Sequence, residues 1–216
     1  PAWSAYYASN NLCSSISTFH NVYGHQNLFK RYYNRGLSKM DKIVAISEYV
    51  KNSISNIYKI DKKKITVIHR GIDTDLFNPE INDEIRYPSF FSKYHLPDNK
   101  KIILYPGRLT EWKGQIKFIN ILQSLNLNNI VCYFVGDDKN TSYKLKLEKE
   151  IYKRNLNSDC KIIGHLPKED MRLMYKSADL IISAPNRPEG FGRVISEGLA
   201  MKKIVLCYNF GGAKEQ

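Results

Sequence analysis

Residues 101–125 read KIILYPGRLTEWKGQIKFINILQSL, and this stretch sets the fold class. It opens on a β-branched apolar run of strand length at 102–105. The run breaks at Pro106-Gly107, and a polar loop follows with two cations, Arg108 and Lys113. Over 115–125, Ile116, Phe118, Ile119, Leu122 and Leu125 fall close to the spacing of one helix face. Strand, loop and helix in that order make one unit of a parallel α/β sheet.

The same alternation runs through the rest of the chain. Short apolar runs predict strands at 16–19, 43–46, 65–68, 131–135, 161–163, 180–183 and 204–206, with helical patterns between most of them. The pattern at 48–58 carries Val50, Ile54, Ile57 and Tyr58 on one face. Between 73 and 100 the alternation stops. Asn78-Pro79, Asn82-Asp83, Tyr87-Pro88 and Leu96-Pro97-Asp98 punctuate it, which predicts a linker with one short helix. The expected organisation is therefore a first α/β domain over 1–72, a linker over 73–100 and a second α/β domain over 101–216. No fixed-period repeat is present.

The chain has 216 residues, 43% apolar and 12% aromatic, enough for packed cores and unlike a disordered chain. It starts at Pro1 and stops at Gln216 soon after a glycine pair, so the expectation is that both domains are incomplete. Its longest apolar runs, such as 130–135 and 204–208, are far shorter than the roughly 20 residues that span a bilayer. Cys13, Cys132, Cys160 and Cys207 are widely spaced with no C-x-x-C pair, so they are expected as reduced core thiols in a cytoplasmic protein. Thirty-three Lys and Arg against twenty-one Asp and Glu give a net charge of +12. Nucleic acid, an anionic membrane surface or an anionic small ligand would each suit that charge, as would simple solvated lysine runs such as 62–64. No basic helix, aromatic-interleaved strand or zinc-finger spacing supports a nucleic-acid module.

Two constellations carry chemistry. The first is the loop after the strand at 102–105. Ligands in open α/β sheets bind beyond the carboxyl ends of strands. There Arg108 can fork onto phosphate oxygens, Lys113 supplies a point charge, and a helix N-terminus follows. A diphosphate-sized anion fits this set, and an ordinary exposed loop with two solvated charges has the same composition. The dinucleotide G-x-G-x-x-G and the P-loop motifs are both missing. The second constellation follows the strand at 180–183 and runs Glu189-Gly190-Phe191-Gly192, with Glu197 in the helix beyond. The two glycines remove bulk where backbone N–H groups would approach an anion or a sugar hydroxyl. A carboxylate accepts two hydrogen bonds at once, which suits a vicinal diol. Glu189 and Glu197 as the acid and base of a glycoside hydrolase is the other reading, although nothing places them across a scissile bond. Asp137-Asp138 has the look of a metal-binding pair but reads as a loop feature.

Taken together, Gly107-Arg108 with Lys113-Gly114, Glu189-Gly190-Phe191-Gly192 with Glu197 eight residues after Glu189, and Gly211-Gly212-Ala213-Lys214-Glu215 resemble the retaining GT-B glycosyltransferases of family 4. Ser17-Thr18-Phe19-His20, Val44-Ala45-Ile46-Ser47-Glu48 and residues 67–73 extend the resemblance, in the family's order, over nearly the whole chain. Lys202 and Ile204 depart from the family's usual Gly and Pro. The resemblance implies two Rossmann-like domains, an acceptor domain at 1–72 and a donor domain at 101–216, as the middle of a longer enzyme that is inactive when cut this short. It implies that a nucleotide-diphosphate sugar is the donor substrate, that no cofactor or metal is needed, and that hexose passes with retention to a glycan or lipid-linked acceptor. The wording is closest to enzymes of lipopolysaccharide cores and other surface glycans. Arg108 and Lys113 would hold the diphosphate and Glu197 the ribose. Glu189 with the backbone of Gly190, Phe191 and Gly192 would hold the sugar, and His20 would stand near the reacting centre. A related nucleotide-sugar epimerase and a noncatalytic donor-binding protein are the alternatives. The +12 charge adds the hypothesis of peripheral contact with an anionic inner membrane.

Overall fold

The computed structural model describes residues 2–9, 12–22, 26–125 and 128–216. All eight expected strands form, each within one residue of its expected bounds, because β-branched runs of this length are too short for helices and too apolar for loops. By their contacts the residues divide into two compact units, 1–71 with 188–192 and 209–216, and 72–187 with 193–208.

The first unit holds α1 (Ala2–Ser9), β1 (Ile16–Phe19), α2 (Leu28–Arg35), β2 (Lys42–Ala45), α3 (Glu48–Tyr58) and β3 (Ile65–Val67). Its strands form a parallel sheet in the order β1-β2-β3, with Ser17 opposite Ile43 and Ala45 opposite Val67. The helix α3 begins where the Ser47 hydroxyl accepts from Val50 N at 3.1 Å, a serine N-cap, and ends at Lys59 in the left-handed region. Val50, Ile54 and Tyr58, four residues apart, form its buried stripe against Phe19, Ile43, Ala45 and Ile65.

The second unit holds α4 (Tyr87–Tyr94), β4 (Lys101–Pro106), α5 (Gln115–Leu122), β5 (Ile130–Val135), α6 (Thr141–Lys153), β6 (Cys160–Ile163), α7 (Lys168–Ser177), β7 (Leu180–Ser183), α8 (Arg193–Ala200) and β8 (Ile204–Cys207). Its parallel sheet runs β6-β5-β4-β7-β8. Both faces are covered. Ile102 and Leu104 of β4 enter one core with Val131, Tyr133 and Val135 of β5, while Ile103 and Tyr105 enter the opposite core with Cys132 and Phe134. That two-residue alternation with apolar side chains on both faces is why these strands read as continuous apolar runs.

Several details differ from the sequence expectation. The stretch 73–100, expected as a linker, carries α4, the one short helix expected in it, but packs Phe77, Phe90 and Leu96 into the core of the second unit, since these apolar side chains are spaced irregularly rather than absent. Residues 188–192 and 209–216, expected in the second domain, belong by contact to the first unit, with Phe191 in its core. The helix expected over 115–125 ends at Leu122, where Ser124 Oγ turns back to the Ile121 carbonyl and Leu125 N to the Leu122 carbonyl. All four cysteines are free thiols. Cys132 and Cys160 are buried and Cys207 is half-buried, but Cys13 is exposed rather than in a core. Burial pushes the Cys160 thiol up to about 12. No helix among the described residues is long and apolar enough to cross a membrane.

Candidate functional site

The strand order fixes where a ligand would sit in the second unit. From β4 the chain winds outward through β5 to β6, then returns to the other side of β4 to lay down β7 and β8. The direction of winding therefore reverses between β4 and β7, which pair with Ile103 opposite Leu180 and Leu104 opposite Ile181. The crevice beyond the carboxyl ends of two such strands is where open α/β sheets bind ligands.

Both loops at that crevice are rigidly tied. After β4, Gly107 N and Leu109 N donate to the carbonyls of Val135 and Asp137 at 2.8 and 2.9 Å, so the loop continues the pairing with β5. Residues Glu111–Lys113 then form a single 3-10 turn. The loop after β7 grips this turn through Asn186, whose N–H donates to the Trp112 carbonyl at 2.7 Å and whose amide Nδ2 donates to the Glu111 carbonyl at 2.8 Å. Arg108 is exposed and has no ion-pair partner among the described residues, while Lys113 is half-buried with Nζ 4.6 Å from the Trp112 ring centroid. The loop thus brings its two cations to the reversal point on an ordered turn.

Glu197, also in the second unit, is buried on α8 at 7% exposure. Its Oε2 accepts from the Tyr175 hydroxyl at 2.9 Å, and its Oε1 accepts from Arg193 Nη2 at 2.8 Å, one helical turn away. Burial pushes the Tyr175 hydroxyl well above its ordinary range, so it stays a donor. Sequence patterning does not mark Tyr175, an aromatic residue inside an amphipathic helix that reads as core. Asp138 pairs with Lys144 at 2.8 Å, and Asp137 Oδ1 accepts from Lys139 N at 3.0 Å, so the acidic pair is occupied in shaping its loop. Among the described residues, no group of three His, Cys, Asp or Glu is placed to hold a metal.

The first unit gathers His20 with Glu189, Gly190, Phe191 and Gly192. A Cβ built on Gly190 would lie 2.6 Å from the His20 carbonyl oxygen, a backbone approach that only glycine permits. His20 is exposed, Glu189 is half-buried, and the rest of the run is buried. The final residues clamp this run. Gly212 N donates to the Glu189 carbonyl at 2.9 Å, and Gln216 Nε2 donates to the carbonyls of Phe191 and Gly192. Glu215 accepts from Glu48 N and Tyr49 N, both at 2.8 Å, and contacts His69 Nε2 at 3.1 Å. Burial raises the Glu215 pKa, but the two N–H donors at the start of α3 and His69 outweigh it and leave it lowered. The motif at 211–215 is visible in the sequence, yet its task of capping a helix whose first residues lie 167 and 166 positions upstream of Glu215 is not.

Two units, each built on a parallel sheet with helices, and a basic loop at the winding reversal of the second define the α/β architecture of GT-B glycosyltransferases. Residues 87–216 match the family model described as glycosyl transferases group 1, and residues 1–76 match that of glycosyltransferase family 4. The chain belongs to the group 1 glycosyl transferase family. It is 26% identical over 175 residues to an uncharacterized glycosyltransferase of Methanocaldococcus jannaschii, a match covering 81% of this chain and 44% of that protein. Among solved structures, a glycosyltransferase from Rickettsia africae superposes with a TM-score of 0.88 at 39% identity, covering all of this chain and 57% of the other. HepE of Anabaena, solved with UDP and glucose, has the same fold at a TM-score of 0.86 and 22% identity, covering 99% and 58%. The chain spans less than half the length of the first curated relatives it matches, 42–44%.

Proposed function

We propose that this chain is part of an enzyme that takes a hexose from a nucleoside-diphosphate sugar and passes it, with retention, to a glycan or lipid-linked acceptor of a cell-surface glycan such as a lipopolysaccharide core. One observation carries the reading: an ordered loop with two cations, Arg108 and Lys113, stands at the winding reversal between β4 and β7. In glycosyl transfer, negative charge grows on the departing diphosphate. Fixed cations that meet it lower the barrier electrostatically, without any group having to reorganise during the step. Glu197 accepts one hydrogen bond from Tyr175 and two from Arg193, and a carboxylate has about four acceptor sites, so one stays open to a ribose hydroxyl. Glu189 and the backbone of Gly190, Phe191 and Gly192 take the hydroxyls of the donor sugar, and His20 serves the reacting centre. The nucleotide sugar is a substrate, and no resident cofactor enters the scheme.

Isothermal titration of the full-length protein with UDP, GDP and ADP tests this. UDP comes first because HepE, which shares the fold, was solved with it. A hydrogen bond to a charged group contributes about 1.5–3 kcal/mol, so Arg108→Ala is expected to weaken the preferred diphosphate roughly tenfold to a hundredfold. Glu197→Ala is expected to weaken the nucleotide as well. Wild-type affinity in both variants, or no binding of any diphosphate, sinks the reading.

The same reading puts the acceptor side at an anionic inner-membrane surface. The first 40 residues contain Lys30, Arg31, Arg35 and Lys39 and no Asp or Glu. On α2, Leu28, Phe29, Tyr32 and Tyr33 are exposed beside three of those cations, a pairing that suits an anionic headgroup layer. Sedimentation with liposomes is expected to rise with anionic lipid content and fall with salt. Equal sedimentation with neutral and anionic vesicles removes this part of the proposal.

A further inference from the structure

The two cations of the 108–113 loop are tethered through their own backbone carbonyls to buried side chains. At one end Gln115, fully buried at 0% exposure, donates from Nε2 to the Arg108 carbonyl at 3.0 Å. The other half of the same amide, Oε1, accepts from the Tyr143 hydroxyl at 3.2 Å, and Tyr143 is itself buried. At the other end the Tyr105 hydroxyl donates to the Lys113 carbonyl at 2.6 Å. Burial pushes the Tyr105 hydroxyl above its ordinary range, so this donor persists at any physiological pH.

Position 115 is the first residue of α5, where an exposed polar residue would serve the helix equally well. A buried primary amide there is costly unless both halves are satisfied, and here both are. The chemistry is also selective. An amide donates to a carbonyl and accepts from a phenol at once, a carboxylate cannot donate, and an apolar side chain can do neither. Contacts from Asn186 to the carbonyls of Glu111 and Trp112 fix the loop's middle. Gln115 and Tyr105 fix the two cationic positions, and hence the distance between the two cations.

We propose that Gln115 is a positioning residue for the donor diphosphate: through the Arg108 carbonyl it sets the placement of the Arg108 guanidinium relative to Lys113. The inference rests on the reading of Arg108 and Lys113 as diphosphate ligands. Its effect is on geometry, because Gln115 is fully buried beneath the loop, out of a ligand's reach. A loop freed at Arg108 would still attract an anion by its charge but would lose the spacing that distinguishes two phosphates from one.

The test is isothermal titration of the full-length protein with UDP, GDP and ADP and with the corresponding monophosphates. The variants are Gln115→Met, Gln115→Glu and Tyr143→Phe, with Arg108→Ala alone and combined with Gln115→Met. Gln115→Met is expected to lower diphosphate affinity about tenfold and monophosphate affinity much less, so that the preference for two phosphates over one falls. Gln115→Glu, which keeps the acceptor for Tyr143 and loses the donor to Arg108, is expected to behave like Gln115→Met. In the Arg108→Ala background, Gln115→Met is expected to cost less than about threefold more, because the two act as one unit. Tyr143→Phe removes a single hydroxyl and supplies the measurement if the position 115 variants do not fold. It is expected to produce a loss of about threefold in the same direction. An unchanged diphosphate-to-monophosphate preference in these variants, or additive losses in the combined variant, overturns the role of Gln115. Unchanged diphosphate affinity in Arg108→Ala instead overturns the ligand reading beneath it, and the inference falls with that reading.

Discussion

Asp83→Ala is expected to destabilise the second unit by about 3–5 kcal/mol, the cost of leaving a buried charge without its partner. Asp83 is 6% exposed and Arg172 on α7 is 2% exposed. Arg172 reaches the Asp83 carboxylate with both terminal nitrogens, at 2.7 and 2.5 Å, and Lys176 adds a third contact at 2.8 Å. With the carboxylate gone, the nearest remaining acid to Arg172 is Glu169 at 3.7 Å, a half-exposed side chain. Chemical denaturation of wild type and variant measures the loss, and a difference below about 1 kcal/mol would contradict the argument. Replacing both partners, as Asp83→Leu with Arg172→Leu, is expected to recover most of the stability, since it is the orphaned charge that is costly. The pH dependence has a definite sign. Arg172, with Lys176 helping, holds the Asp83 carboxyl at about 2 against the cost of burial, below the roughly 3.9 of an unfolded Asp. Its contribution is therefore complete above about pH 4 and is lost as pH falls through 2, so the gap between wild type and Asp83→Ala should close over that acid range.

This ion pair also shows where the sequence stops being informative. Asp83 and Arg172 are 89 residues apart, and Asp83 falls in a stretch whose Asn, Asp and Pro residues read as a linker. Local polarity is visible to pattern reading, but the tertiary partner that turns a loop acid into a core residue is not. Strands were a different matter: runs such as Leu180–Ser183 and Ile16–Phe19 have one physical solution, and they form where expected. Their spatial order is not written locally. Nothing in 180–183 says that β7 returns beside β4 rather than continuing past β6, yet that return makes the loops after β4 and β7 neighbours. Arg108 and Lys113 stand out by charge and spacing, whereas Gln115 does not, because a polar residue at a helix start gives no sign that it will be buried. Likewise 188–192 follows β7 in the chain, and tertiary packing, such as that of Phe191 with Phe19, Ile43 and Val50, assigns it to the first unit.

Gly114→Ala is expected to have the second large effect, because two independent costs meet at that residue. Gly114 has a φ of 83°, and its Cβ would lie 2.3 Å from the Ala184 carbonyl oxygen and 3.4 Å from Asn186 Oδ1. A left-handed conformation costs a non-glycine residue about 1–2 kcal/mol, and forcing extra volume into a packed contact adds about 1–3 kcal/mol. The obstacle is backbone, so no side-chain rotation relieves it, and the loop after β4 must separate from the loop after β7. That separation would break the Asn186 contacts to Glu111 and Trp112. It would also displace Lys113, the residue immediately before the clash. The variant should thus lose about 2–5 kcal/mol of stability in denaturation and bind a nucleoside diphosphate at least about tenfold more weakly in titration. Gly71→Ala is the matched control, because nothing lies within 4 Å of a Cβ there, and its effect should stay within about 0.5 kcal/mol. If Gly114→Ala instead matched Gly71→Ala in both measurements, the two loops would not be locked together as their contacts indicate, and Lys113 would owe its position to something other than that packing.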